Sequence, residues 1–291
     1  MTTELEKISV TELSLRELIR FMRFPVRYFL EQRLGIKQEQ AITELPEREP
    51  FELEMFSDVK LRQAIFHQYE QPQADIVKRL RAQGLLPHGT EGQRIFEMER
   101  EVVSSLIERS AKTPAAQSIV VQQQIVDILL YGTLENVTEQ GIIFVSFGKL
   151  WKQDILEHWV NHLVLAVIKP GNTDIKKTII HPDGQSCFDP VNDPHEHLAI
   201  VLQAYLSGGN KPLHFMPKTA YEYARTLAKS QKTPEKALDA AKKTWMGNQH
   251  SLGESQKAAY QLVFRGIDVC DEQFEYWAKM IWIPILEHYQ E

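Results

Sequence analysis

The sequence predicts an α+β domain, a mixed central sheet flanked by helices. Three observations carry that class. Apolar residues recur at three-and-four spacing near both ends of the chain, the period of one helix face. From Ser118 to Phe147 the texture changes to short runs rich in Ile, Val, Phe and Tyr, which read as strands. A helical stretch over 151–168 then separates these strands from a shorter pair. Hairpin-joined strands followed by a helical crossover imply a mixed sheet covered by helices.

The first helix is announced by Leu15, Leu18, Ile19, Met22, Val26, Phe29 and Leu30 on one face. Ser14 stands at the N-cap position with Glu17 three residues later, the capping-box pattern. Pro25 either kinks this helix or opens a second one at its first turn, and Gly35 is a plausible stop. Residues 36–56, with Pro46, Pro50 and many Glu, read as an extended surface segment. Helical patterns return over 58–70 and 74–83, with Gly84 as a stop. Gly84 to Gly92 reads as a loop, and a helix then runs to about Lys112.

Strands are expected over Ser118–Val121, Ile125–Leu134 and Ile142–Phe147, the last two joined by a polar turn around Asn136 to Gly141. After the helix over 151–168, Lys177–His181 and Gln185–Phe188 form a hairpin around Asp183-Gly184, which supplies the positive φ a tight turn needs. Helices are then expected over 196–207, 218–230, 234–246, 253–265 and 271–289, punctuated at Gly208-Gly209 and at Met246-Gly247-Asn248. No internal repeat interrupts this order. The chain divides into a helical part (1–112), a sheet core (113–190) and a helical extension (191–291), all within one compact body.

Composition bounds the function. The 291 residues carry 33 Lys plus Arg against 39 Asp plus Glu, a formal net charge of -6. With 43% hydrophobic residues the chain is globular, not disordered. The acidity argues against a protein built mainly to coat nucleic acid, while leaving room for a local basic patch. The only cysteines, Cys187 and Cys270, lack metal-ligand spacing and suit a reducing compartment. No apolar run reaches the length of a membrane span, and no signal peptide opens the chain, so a cytoplasmic location is expected.

Arg16, Arg20, Arg23 and Arg27 share one face of the first helix and make the densest positive feature, able to pair phosphates. A solvated face or pairing with acidic residues of a partner would use the same arginines. Asp154, His158 and His162 lie four apart with Glu157 adjacent, but a third metal ligand is not evident, and an amphipathic helix edge accounts for them. His195-Glu196-His197 near Asp193 is a weaker cluster still. No Walker motif, nucleophile elbow or cysteine–histidine pair occurs. No cofactor is expected. Carboxylates for metal-assisted phosphodiester cleavage would have to come from Asp127, Glu135 and Glu99, and the strand Ile142–Gly148 holds neither acid nor base.

The run from Leu13 to Leu30, Leu-Ser-Leu-Arg-Glu-Leu-Ile-Arg-Phe-Met-Arg-Phe-Pro-Val-Arg-Tyr-Phe-Leu, resembles the family of RecC C-terminal domains, and the resemblance extends over essentially the whole chain. RecC is the gamma subunit of RecBCD, exodeoxyribonuclease V. The run is also similar to the first helix of RecB-type nucleases. Phe24 stands where those nucleases carry a Cys that ligates an iron–sulfur cluster in some relatives, so no cluster is implied here. The resemblance implies a restriction-endonuclease-like PD-(D/E)XK core with helical additions at both ends.

Their motif strands correspond here to Gly132-Thr133-Leu134-Glu135-Asn136 and Phe144-Val145-Ser146-Phe147-Gly148. Glu135 then falls on a metal-binding acid, Phe144 on the second acid, Ser146 on the catalytic Lys, and His162 on the Gln of the following helix motif. A lone carboxylate holds a hard divalent cation weakly, and without the Lys developing charge has no partner. The resemblance therefore implies an inactivated nuclease fold: a scaffold that binds the RecB and RecD motors and the rest of RecC and helps to split duplex DNA at a fork. Gly84–Gly92 and Asn136–Gly141 are the candidate splitting loops. The seam Phe274, Trp277, Ile281, Trp282 and Ile285 is core or partner surface. An active metal-dependent nuclease with rearranged acids and a protein-binding module without DNA contact are the rival readings.

Overall fold

The computed structural model describes residues 6–37, 57–111, 115–169, 175–229, 233–248 and 251–291. Pro25 divides the first helical run. It lacks an N–H and pushes the preceding residue out of the helical region, so Phe24 sits at φ -148, ψ 69 between α1 (Leu15–Arg23) and α2 (Pro25–Arg33). Ser14 caps α1, its hydroxyl accepting from the Glu17 N–H at 3.2 Å. Helices α3 (Ser57–His67), α4 (Gln73–Ala82) and α5 (Gly89–Ser110) follow. α5 starts inside the expected Gly84–Gly92 loop. Gly92 is buried in it, where an added Cβ would lie 1.9 Å from the Pro87 carbonyl oxygen. The Glu-rich segment 38–56 and Lys112 to Pro114 lie outside the described residues.

Strands β1 (Glu12–Ser14), β2 (Gln117–Ile125), β3 (Ile128–Thr138), β4 (Gly141–Val145), β5 (Lys176–His181), β6 (Gly184–Phe188) and β9 (Tyr289–Gln290) make one seven-stranded sheet. β2 pairs along one edge of β3, while parallel β1 and antiparallel β4 share the other. β5 runs parallel to β4, and β6 and β9 continue antiparallel. The expected strand from Ile125 is interrupted: Val126 (φ 52) and Asp127 form the tight turn between β2 and β3. The turn expected over Asn136–Gly141 shrinks to Glu139-Gln140. Asn136 (φ 58) lies instead at a bulge within β3, which lets Leu134 and Val137 both turn inward.

α6 (Lys152–Ile168) crosses from β4 to β5, and α7 (Pro194–Asn210), α8 (Pro217–Leu227), α9 (Pro234–Met246), α10 (Ala258–Val263) and α11 (Glu272–His288) complete the helices. A small hairpin of β7 (Gly247–Asn248) and β8 (Ser251–Leu252) follows α9. Two expectations are corrected. Gly208 and Gly209 lie inside α7, because a Cβ at Gly208 would meet the Phe21 ring at 2.5 Å and one at Gly209 would meet Ile8 at 2.3 Å. The helix expected over 253–265 is a short 3-10 turn, Glu254–Gln256, followed by α10.

Two apolar clusters result. One joins α1, α2, the sheet, α6 and the C-terminal helices, and contains Phe274, Trp277, Ile281, Trp282 and Ile285, so that seam is core. The other, with Leu61, Ile65, Ile76, Leu80 and Phe96, is built from α3, α4 and α5 with Leu86 of the α4–α5 connection.

Candidate nucleic-acid interface

The break at Phe24 brings the arginines together. Arg16, Arg20 and Arg23 from α1 and Arg27 from α2 line one cleft of about 420 Å³ with Tyr28, Glu31 and Glu157. Arg27 Nε donates to Glu31 Oε1 at 2.7 Å, and Arg20 pairs with the same carboxylate. Burial would raise the Glu31 carboxyl, but the hydrogen bonds and charges of Arg27 and Arg20 outweigh it and hold it below the usual range. Arg23 crosses to α6, its Nη2 2.9 Å from Asp154 Oδ1 and its Nη1 2.5 Å from Glu157 Oε2. Arg16 is exposed and makes no ion pair among the described residues. Much of the stripe is thus neutralised within the chain.

The positions carried over from the nuclease motifs separate. Phe144, on β4, faces α6, and its ring centroid lies 4.7 Å from that of His158. Ser146 lies just beyond β4, its amide bonded to the Ile180 carbonyl at 2.7 Å and its hydroxyl to the Gly148 carbonyl at 3.0 Å, so it holds the following turn. Glu135 is exposed on the side of β3 away from Leu134. His162 stacks on Phe188 under β6, its Nε2 2.9 Å from the Asp189 carbonyl oxygen. Of the rearranged acids, Glu99 is paired with Arg62, and Asp127 is exposed in the β2–β3 turn. Among the described residues no three His, Cys, Asp or Glu converge as metal ligands.

Lys177 was missed by motif reasoning. It stands opposite Ile142 in the parallel register, on the face of β5 covered by α6, and is 2% exposed. No described residue hydrogen-bonds its ammonium. Burial pushes its pKa down to about 7, opposed by the charge of Glu157. His158 is driven well below its ordinary value by burial, then by the charges of Lys177 and Arg23. Burial lowers His162 to about 4. The signal was available in the alternation of Lys177 and Ile179 on one face of a strand.

A second cleft, of about 930 Å³, shares Arg23 and Phe24 with the first. The β4–α6 loop, the β5–β6 turn and the starts of α8 and α10 enclose it. Trp151, the N-cap residue of α6, is 53% exposed in it. Lys149 Nζ lies 5.9 Å from the Trp151 ring centroid and Lys152 Nζ 3.7 Å from that of Tyr221. Lys218 and Lys257 also line this cleft. The cysteines lie elsewhere: Cys270 is buried and its thiol is pushed up to about 11 by burial, then by Asp268. Among the described residues no helix is long and apolar enough to cross a membrane.

Residues 10–228 match the family described as the RecC C-terminal domain. The chain is 23% identical over 274 residues to the RecBCD enzyme subunit RecC of Buchnera aphidicola subsp. Schizaphis graminum, covering 89% of this chain and 25% of that protein. It is 26% identical over 265 residues to the RecBCD enzyme subunit RecC of Escherichia coli K12, covering 86% of this chain and 23% of that protein. The chain thus spans about a quarter of the length of these curated relatives.

Proposed function

Because the chain belongs to the RecC C-terminal domain family, we propose that it serves as a non-catalytic scaffold in a RecBCD-type helicase–nuclease acting in double-strand break repair and DNA degradation. Residues 113–190 are its inactivated PD-(D/E)XK-type core, with helical parts on either side. Its partners are RecB and RecD subunits, the remainder of a RecC polypeptide, and duplex and single-stranded DNA at a fork in the cytoplasm.

The observation that carries this reading is Phe144. At the position of a metal-binding acid it offers an aromatic ring packed against His158. A phenyl ring gives a hard cation no oxygen ligand. The buried Lys177 side chain on the neighbouring strand offers no oxygen ligand either, and Glu135 turns away.

Incubating the chain with linear duplex DNA and Mg²⁺ or Mn²⁺ tests the loss of catalysis. No cleavage is expected, and cleavage abolished by Glu135→Ala would favour the active-nuclease reading instead. Assembly is tested by co-purification of the full polypeptide with RecB- and RecD-type subunits. For DNA, Arg16→Glu with Arg20→Glu is expected to weaken salt-dependent binding to a forked duplex. Unchanged affinity would remove the arginine stripe from the DNA path.

A further inference from the structure

The cleft around Trp151 places a lysine at two helix starts on one surface, and at one of them no acid answers it. Helix N-termini carry partial positive charge and favour acids in the first turn. Lys152 is the first residue of α6, and Lys218 the second of α8, whose first turn holds no acid at all. Both lysines line the same cleft, so two cations at helix starts converge there; α6 carries Asp154 in its first turn, whereas α8 carries no acid. Such a placement disfavours the isolated fold, and departures of this kind concentrate at functional sites. An anionic ligand would reverse the sign of both terms.

The acids of the cleft offset only part of this charge. Asp154 is taken by Arg23 and by the Trp151 N–H at 2.9 Å. Glu222 is paired with Arg225 at 2.8 Å, and Glu291 lies 3.9 Å from Lys152. Asp183 alone stands in the cleft without an ion pair among the described residues. Lys149 and Lys218 make no ion pair among them either.

The second half of the recognition is aromatic. Trp151 exposes its indole beside Lys149. A flat π-face flanked by cations is what a nucleobase and its phosphates require, and only an unpaired base can present its face to it.

We infer that this cleft binds single-stranded nucleic acid, with a base stacked on Trp151 and neighbouring phosphates held by Lys149, Lys218 and the N-terminus of α8. The inference rests on the DNA-handling reading above and names the site and the strandedness of its ligand.

Fluorescence anisotropy of the 291-residue chain with a labelled oligothymidylate tests it, with thymidine monophosphate as competitor. Trp151→Ala is expected to weaken binding about 5- to 150-fold, and Trp151→Phe to retain most of it. Lys149→Ala with Lys218→Ala is expected to lower the slope of log affinity against log salt by about 1.4. The inference is overturned if the oligonucleotide does not bind, if Trp151→Ala binds as the unmodified chain does, or if the mononucleotide competes at the same phosphate concentration as the oligomer. Should the tryptophan variant fail to fold, the lysine pair decides, and an unchanged salt slope overturns the inference. Intact co-purification with partner subunits alongside unchanged Trp151→Ala binding would remove this cleft and leave the scaffold reading. Failed co-purification with Trp151-dependent binding would do the reverse.

Discussion

Replacing Lys177 by methionine keeps a long unbranched side chain under α6 and removes the charge. The folded protein sheds this proton near pH 7, whereas the unfolded chain keeps it until about 10.5. Between those values unfolding takes up a proton, so raising the pH favours the folded state. The full penalty is present below pH 7. The displacement from 10.5 to about 7 corresponds to about 5 kcal/mol. Lys177→Met is therefore expected to be more stable than the unmodified chain by several kcal/mol at pH 6.5. Urea unfolding from pH 7.0 to 8.5 isolates the effect. That window lies above His158 and His162, whose depressed values confine their stability change to more acid pH, and below the Cys270 thiol, which burial raises. Across it the unmodified protein should gain about 2 kcal/mol relative to Lys177→Met. Parallel pH profiles, or a less stable methionine variant, would refute the reasoning and require a partner for the ammonium.

Arg23→Ala should destabilise the fold by about 1 to 2 kcal/mol in urea unfolding, because it leaves Asp154 and Glu157 facing each other on α6 without their cation, whereas Arg16→Ala should change stability by less than about 0.5 kcal/mol. Gly141→Ala should cost about 4 kcal/mol or more, measurable as loss of soluble protein, since its Cβ would lie 1.7 Å from the Lys176 carbonyl oxygen at a φ of 129. Glu254 is buried and accepts from the Thr219 N–H at 2.8 Å and hydroxyl at 2.9 Å. Glu254→Ala should cost about 3 kcal/mol in thermal unfolding and exceed Glu254→Gln, which keeps one acceptor for that amide.

Local chemistry made part of this fold legible before any coordinates. Ser14, Glu17 and Pro25 act within one or two turns of their own backbone, so those boundaries were readable. The hairpin near Asp183 was readable too, but its two turn residues are Pro182 and Asp183, and Gly184, expected in the turn, pairs with His181 as the first residue of β6. The β2–β3 turn was not. Val126 adopts a positive φ that β-branched residues avoid, and nothing in its type signals a reversal. Gly208 and Gly209 misled for the opposite reason, because their use is to admit Phe21 and Ile8 from distant parts of the chain.

The site divides in the same way. Helical periodicity placed Arg16, Arg20, Arg23 and Arg27 on one face, and the structure lines one cleft with them. Periodicity could not reveal that Asp154, Glu157 and Glu31 would neutralise much of that charge. Nor could it join Trp151 to Lys218 and Tyr221, which meet only once α6 and α8 pack.

The last pairing of the sheet has a consequence for biosynthesis. β9 adds to β6 by joining Tyr289 and Gln290 to Phe188 and Cys187, about a hundred residues earlier. A ribosome moving at roughly 5 to 20 residues per second takes on the order of 5 to 20 s to cover that interval. Throughout it the outer backbone groups of β6 stand open beside Trp159, whose large ring packs on Phe188. A nascent strand edge beside an aromatic cluster is a template for wrong pairing, so chaperone demand during translation should peak in this interval and end when α11 delivers its two-residue strand.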